Sequence, residues 1–460
     1  MEESPVARRR YRRDEELEVT IESLAYGGAG VGRSEGFVVF VRGALPGDRV
    51  RARIGKSKRS YAEATLVELI EPAPDRIEPE IPHPGAPWQV LPYERQLEVK
   101  QAQVVEALER LGGFEGPPVQ PIVPAVEQLR YRNKVEYSFG EDEDGRMVLG
   151  SHRAGRWDVI DELTVDVLAS ERVDELRNAI ADWCREQGVP PYDRRDQSGV
   201  LRNLVIREGR RTGELQARLI TRRKELEADV LAASVPAASF LTTNVEGLGE
   251  TTSGETALLK GQKKLFEELE IGGNKLRFGI SPEAFFQTNT EMAERLYAIA
   301  AELAGLTGRQ RVFDLYCGIG TIGIALSLDA REVIGVEIVE EAVADAIANA
   351  ELNGIDNARF YAGDIRTAMR PLIDEEGTAD VVVVDPPRAG LSQKVVRRVL
   401  EVEARRVVYV SCNPTTLAPN ARQMVDAGYE LVTVQPVDMF PQTPHIESVA
   451  LLRRRPDVSA

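Results

Sequence analysis

Two stretches of this sequence end in groups that could do chemistry. The apolar run RRVVYV closes in Ser411-Cys412-Asn413-Pro414, and the apolar run ADVVVV closes in Asp385-Pro386-Pro387-Arg388. If both runs are neighbouring strands of one open α/β sheet, their carboxyl ends bring a thiol, a carboxylate and a guanidinium to the edge where such sheets bind ligands. A cysteine there is a candidate nucleophile, because a thiolate attacks carbon readily and can be expelled again. The strand-to-loop turn is expected to hold Cys412 near polar donors that lower its pKa from the ordinary ~8.5. Cys184, beside Trp183 in a helical run, reads instead as a buried packing thiol.

A third stretch binds rather than reacts. RVFDLYC leads directly into Gly318-Ile319-Gly320-Thr321-Ile322-Gly323 and a helical segment, a GxGxxG turn in the setting where its glycines let backbone approach a ligand. Glu337 ends the next apolar run, EVIGVE, where a carboxylate can accept from ribose hydroxyls. Alone, these features fit NAD and S-adenosylmethionine (AdoMet) equally, so an NAD-dependent dehydrogenase is one reading. Hydride transfer, however, uses neither Cys412 nor the Asp-Pro-Pro turn. A non-catalytic RNA-binding protein is another reading, and it leaves the whole second half idle.

The elements that must position these groups follow from pattern. From 271 to 460, apolar runs alternate with helical segments, the signature of a doubly wound parallel sheet. Residues 93–270 mix strands and helices and read as a central α/β domain. The Pro-rich stretch 72–92 reads as a linker, and 15–71 reads as five short strands with glycine turns, a small barrel of the oligonucleotide-binding kind. Residues 1–14 form a basic tail that includes the Arg8 to Arg13 cluster.

Composition restricts the partners. Four hundred and sixty residues with 43% hydrophobic and 29% charged side chains describe a folded chain of several domains. The net charge of −16 argues against a polyanion overall, but residues 1–70 hold 13 basic and 11 acidic side chains, so phosphate is expected at the front end. There, Arg42, Arg49, Arg51, Arg53, Lys56, Lys58 and Arg59 are opposed in sequence by Asp48 alone, which leaves a solvated sheet face and an RNA contact evenly matched. No apolar run is long enough for a membrane helix and the first residues lack a signal peptide's apolar centre, so a cytoplasmic protein with no membrane partner is expected. Three scattered cysteines, and His83, His152 and His445, show neither disulfide nor metal-ligand spacing, so no metal is expected.

With Phe285-Phe286-Gln287-Thr288-Asn289, Asp314-Leu315-Tyr316-Cys317-Gly318, Asp385-Pro386-Pro387-Arg388, Ser411-Cys412-Asn413-Pro414 and His445-Ile446-Glu447 in this order, the chain resembles the RNA 5-methyluridine methyltransferases over nearly its whole length. The resemblance implies an N-terminal TRAM barrel, a central α/β domain and a Rossmann-like class I AdoMet methyltransferase domain. It implies that Gln287, Tyr316, Gly318, Gly320, Thr321, Glu337 and Asp385 contact AdoMet, with Asp364 near the adenine and Cys317 packed beneath the cofactor. Cys412 would add to carbon 6 of a flipped-out uracil, and Glu447 would remove the carbon 5 proton after methylation, leaving S-adenosyl-L-homocysteine. Without the resemblance, Glu447 would read as a surface partner of the arginines in LLRRRP. Arg130-Tyr131-Arg132-Asn133-Lys134 resembles a segment associated with RNA, so Arg130, Arg132, Asn133 and Lys134 join the barrel cations as RNA-binding candidates. Ribosomal RNA is expected ahead of transfer RNA as substrate, with the chain acting as a monomer. Many members hold an iron–sulfur cluster through cysteines that are absent here, so no cluster is expected and His83 and Trp88 must anchor that segment by packing.

Overall fold

In the computed structural model, which describes residues 11–153, 156, 158–222, 227–247 and 252–456, five strands open the chain: β1 (Glu16–Leu24), β2 (Gly30–Ser34), β3 (Phe37–Arg42), β4 (Arg49–Ser57) and β5 (Tyr61–Glu71). They close into a barrel in the order β1-β2-β3-β5-β4. Alternate residues point inward, so Val39, Val41, Val50 and Ile54 are fully buried while the intervening arginines face water. Most of the basic tail, residues 1–10, lies outside the described residues.

The segment read as a linker is packed. Trp88 is 2% exposed and its amide donates to the Gln442 carbonyl at 3.0 Å, while His83 Nε2 lies 3.1 Å from Asp166. The helix that follows, α1 (Tyr93–Arg110), belongs with the last third of the chain rather than with the central domain to which its position assigns it. Val104, Ala107 and Leu108 enter the core beneath the C-terminal sheet, and Lys100, fully buried, pairs with Asp438 at 2.6 Å. The buried face of α1 mixes Gln96, Lys100 and Gln103 with Val104, Ala107 and Leu108, a pattern that does not say which sheet covers it.

The central domain comprises β6 (Lys134–Glu141), β7 (Met147–His152), β8 (Ile160–Glu162), α2 (Glu171–Glu186), β9 (Leu201–Glu208), β10 (Leu215–Thr221), α3 (Ala228–Ser234), β11 (Ser239–Asn244) and β12 (Glu255–Lys260). Its seven strands lie in the order β12-β11-β10-β9-β6-β7-β8. Cys184 is buried within its core. The boundary expected at 270 falls inside a hairpin of β13 (Leu265–Ile271) and β14 (Asn274–Ile280), turned by Gly272 and Gly273 at φ of 58° and 80°. Leu265, Leu269 and Phe278 of that hairpin pack into the C-terminal core, so it extends that domain.

The remaining elements are α4 (Thr290–Ala304), β15 (Arg311–Leu315), α5 (Thr321–Ser327), β16 (Glu332–Glu337), α6 (Glu340–Leu352), β17 (Ala358–Ala362), α7 (Ile365–Glu376), β18 (Val381–Val384), α8 (Gln393–Glu401), β19 (Arg406–Ser411), α9 (Pro414–Asp426), β20 (Tyr429–Val437) and β21 (Glu447–Arg454). The sheet order is β17-β16-β15-β18-β19-β21-β20, with β21 antiparallel between its neighbours. Both faces are covered by helices, which is why Val381 to Val384 are all buried and read as an unbroken apolar run. Among the described residues no helix is long and apolar enough to cross a membrane.

Candidate active site

Strand register assembles the site. Leu315 pairs with both Val336 and Val384, so Tyr316, Glu337 and Asp385 leave three adjacent parallel strands at one level. On the other side of β18, Ser411 of β19 is paired with Ser448 of β21. Cys412, just past the end of β19, and Glu447, at the start of β21, adjoin this last pair and lie close enough for the carboxylate to act on the thiol, although 34 residues of helix, strand and loop separate them in the chain. The edge thus gathers a thiol and two carboxylates.

The turn that carries Cys412 is held locally. Asn413 caps α9, its side chain accepting from the Thr415 amide at 3.0 Å, and Pro414 fills the first helical position, where its missing N–H costs nothing. The same Asn413 side chain donates to the Arg388 carbonyl at 2.9 Å, tying the SCNP loop to the DPPR loop. Cys412 and Asp385 are half-buried, whereas Glu447 is 4% exposed.

Burial governs the electrostatics. It pushes Asp385 up to about 7 and Glu447 well above the carboxylate range, the charge of Asp385 adding to the second. The Cys412 thiol is pushed up to about 11 by burial and by the nearby Glu447 and Asp385, with Arg388 pulling the other way. The expectation of a lowered thiol pKa is therefore corrected, because its neighbours are mainly acids rather than donors. His445 is pushed down to about 4 by burial and by Arg388, so it is neutral at physiological pH. A surface ion pair for Glu447 is excluded by its burial.

The glycine turn and its acid lie at the same sheet edge. Gly318 at φ 54° donates its amide to Glu337 at 3.2 Å, and a Cβ at Gly318 would meet no atom within 4 Å, so the turn faces open space. Glu337 also accepts from the amides of Ile338 and Val339 at 2.7 and 3.0 Å, leaving those two apolar side chains exposed beside it. At Gly323, a Cβ would stand 2.7 Å from the Asp314 carboxyl, which explains the third glycine as close helix–strand packing. Tyr316 adopts φ 65° at the mouth of the turn, and Thr321 donates to the Tyr297 hydroxyl at 3.3 Å. Gln287 is buried next to the highly exposed Phe285. Asp364 caps α7 through the Arg366 amide and pairs with the Arg366 side chain, so its oxygens are already engaged. Cys317 is buried in the sheet core.

The RNA-binding candidates divide. Arg51 pairs with Glu68 and Glu18, and Arg53 with Glu16 at 2.8 Å, so cross-strand carboxylates oppose them. Asp48 does not oppose them: it is fully buried, accepting from the Leu45 and Ala73 amides and pairing with Arg76. Arg42, Lys56, Lys58 and Arg59 are exposed. Arg130 lies within 3.9 Å of Glu171 and 3.8 Å of Asp174. Asn133 is buried, and its side chain donates to the Gln287 carbonyl and to Thr290 Oγ1, both at 2.9 Å, so it braces the FFQTN segment instead of facing solvent. Lys134 is half-buried and pushed down to about 8 by burial and by Arg207. Arg132 is half-buried beside the same segment.

A seven-stranded sheet of this order, opened by a glycine turn and an acid at the second strand's end, defines the class I AdoMet-dependent methyltransferases. A family model described as tRNA (Uracil-5-)-methyltransferase matches residues 231–455, and one described as TRAM domain matches residues 10–67. An RNA methyltransferase of Halalkalibacterium halodurans is 39% identical over 95% of this chain and 96% of its own, and one of Bacteroides thetaiotaomicron 40% identical over 94% and 100%. The structure of the Pyrococcus abyssi tRNA (uracil-54, C5)-methyltransferase, in complex with S-adenosyl-L-homocysteine, matches with a TM-score of 0.77 at 27% identity, covering 95% of this chain and 100% of that one. The chain belongs to the tRNA (uracil-5-)-methyltransferase family with an N-terminal TRAM barrel, and it is an AdoMet-dependent RNA methyltransferase. The dehydrogenase and the non-catalytic readings are set aside.

Proposed function

We propose that the enzyme methylates carbon 5 of a uridine through a temporary bond between the Cys412 sulfur and carbon 6 of the uracil ring. The observation that supports this is the Ser411–Ser448 pair that ends the β19–β21 ladder and leaves the adjoining Cys412 and buried Glu447 near each other at the edge shared with Asp385. Carbon 5 of uracil is a weak nucleophile. Addition of the Cys412 thiolate to carbon 6 moves the ring's electron pair toward carbon 5 and the carbon 4 oxygen, which makes carbon 5 reactive. Once carbon 5 has used that pair to take the methyl group, Glu447 as carboxylate takes the carbon 5 proton, the C–H electron pair re-forms the carbon 5–carbon 6 double bond, and the thiolate leaves carbon 6 with its own pair. A group whose neutral form is favoured by burial is a strong base once ionised, which suits Glu447 to that step.

AdoMet supplies the methyl group, and its positive sulfonium complements a pocket holding buried acids. The fit rests on the open space above Gly318, the acceptor Glu337, and the exposed Ile338 and Val339, an apolar surface of the kind an adenine ring covers. Gln287, Tyr316, Gly318, Gly320, Thr321, Glu337 and Asp385 would hold it. A contact from Asp364 to the adenine would share oxygens that already serve Arg366.

The target base must leave its stack, at a cost of a few kcal/mol. Arg42, Lys56, Lys58 and Arg59 on the barrel, with Arg132 beside the site, supply the cations for the RNA backbone. Since one chain supplies every residue named, a monomer is the working unit. Ribosomal RNA is the substrate class we propose, and the transfer RNA of the Pyrococcus abyssi enzyme is the alternative. Mapping 5-methyluridine in ribosomal and transfer RNA from cells with and without the gene tests this. Loss of one ribosomal 5-methyluridine is expected, loss of one in transfer RNA would reassign the substrate, and an unchanged map of both would overturn the proposal.

A further inference from the structure

The barrel reaches the nucleophile. Tyr26, in the loop between β1 and β2, donates its hydroxyl to the Cys412 carbonyl at 2.9 Å across 386 residues of sequence. β19 ends at Ser411, so this carbonyl lies just past the sheet ladder, at the hinge between strand and α9. A hydrogen bond to that carbonyl fixes ψ of residue 412, and with it how the thiol-bearing Cβ of Cys412 is set relative to α9.

The loop that carries Tyr26 is itself clamped. Gln103 of α1 donates to the Leu24 and Ala25 carbonyls, both at 3.1 Å, and the Ala25 amide donates to the Ala29 carbonyl at 2.8 Å. Gly28 sits at φ 87° so close to the segment before Glu447 that a Cβ there would be 3.0 Å from Pro444 and 3.3 Å from Trp88 Nε1. One barrel loop therefore touches both the SCNP loop and the loop that ends in Glu447. Leu24 joins Leu45, Trp88 and Leu91 in a small core that fixes the barrel to this corner. Burial and the neighbouring Cys412 push the Tyr26 hydroxyl up to about 12, so it remains a donor over the working pH range.

We infer that Tyr26 is a positioning residue of the methyl-transfer site: the barrel, besides meeting RNA, holds the Cys412 peptide in the orientation that aims its sulfur at the ring. This rests on the reading of Cys412 as nucleophile. The test is single-turnover formation of a denaturation-resistant adduct between full-length enzyme and a 5-fluorouridine RNA in the presence of AdoMet, comparing wild type, Tyr26→Phe and Tyr11→Phe. Tyr11 is a barrel tyrosine whose hydroxyl donates to Ser34 at 2.7 Å, away from the site. Tyr26→Phe is expected to lower the adduct rate constant about five- to tenfold, the effect of losing one neutral hydrogen bond. The trapped fraction, the RNA concentration at half-saturation and the melting temperature should stay near wild type, and Tyr11→Phe should keep the wild-type rate constant. A Tyr26→Phe enzyme with a smaller trapped fraction but an unchanged rate constant would overturn the positioning role, since a merely structural residue alters how much enzyme is active and not how fast it reacts. An equal loss of rate in Tyr11→Phe would overturn it too. If wild type itself formed no adduct, the nucleophile reading would fall and take this one with it.

Discussion

The barrel wall and the catalytic edge hold charge in opposite ways. On the wall, Arg49, Arg51 and Arg53 stand exposed, each paired with Glu16, Glu18, Glu68 or Glu71 on a neighbouring strand. At the edge, Asp314 and Glu447 lie buried with the half-buried Asp385 near both, and desolvation raises the pKa of each. Exposed pairs typically contribute about 0.2–1 kcal/mol and mark a solvated face. Buried like-charged acids oppose folding, and a fold that keeps them has a use for them. The contrast locates the chemistry more sharply than counting basic residues did.

Glu447→Gln should break the catalytic side of this contrast most severely. Turnover is expected to fall about 100-fold or more, the usual worth of a general base, while the covalent intermediate accumulates on ordinary RNA because the thiolate is no longer expelled. A gel showing no accumulation at any time point would count against Glu447 as the base.

The acid neighbours also set the pH response of Cys412. Alkylation of Cys412 by iodoacetamide in the RNA-free enzyme should rise about tenfold per pH unit, following the thiolate fraction, and level near 11, where burial, Glu447 and Asp385 place its pKa. Levelling at 9 or below would show that the acids do not act on the thiol.

Asp314 gives a stability readout that leaves Cys412 itself unaltered. Burial and the charge of Asp385 push it up to about 7. The folded state thus keeps a proton that the unfolded chain releases above about 4, so this group's contribution is full below that pH and is lost as pH rises through about 7. Melting temperature should fall across this window in wild type. Asp314→Asn should flatten the fall and melt higher than wild type at pH 8, by a few degrees. A slope unchanged by the substitution would contradict the assignment.

The smallest effect belongs to the barrel wall. Arg53→Ala should change RNA affinity less than about twofold and melting by at most a degree or two, because its pair with Glu16 is exposed. Lys58→Ala, on an exposed lysine at the end of the wall, should weaken RNA binding more and reduce the salt dependence by about one counterion. Equal losses from both would show that the Arg53 pair opens for RNA and would erase the distinction between the two kinds of charge.

Much of the catalytic domain was legible in the sequence because strands buried on both faces are written as apolar runs, and the groups that follow each run mark the edge. RVFDLYC, EVIGVE, ADVVVVDPP and RRVVYVSC all delivered their strands, and their ends fall along one edge of the sheet. What was not legible depends on neighbours that sequence does not name. The residues of α1 gave no sign that the C-terminal sheet covers its buried, half-polar face, and LFEELEIGGNKLRFGI alternates like any hairpin without saying which core it joins. The arginines of β4 looked unopposed because their carboxylates sit on adjacent strands, within reach only once the register is known. Asn133 read as an RNA contact because an amide in a basic run gives no sign of burial. The thiol pKa and the Tyr26 contact were hidden for the same reason: residues 26, 385, 412 and 447 meet only in the fold.

The most direct test of the account is peptide mapping by mass spectrometry of the complex formed with 5-fluorouridine RNA and AdoMet. The fluorine at carbon 5 cannot be removed as a proton, so the sulfur–carbon 6 bond should persist. A nucleotide attached to Cys412 in the wild type, and to no residue in Cys412→Ala, is the expected result. A nucleotide on Cys184 or Cys317, or full methyl transfer by Cys412→Ala, would contradict it.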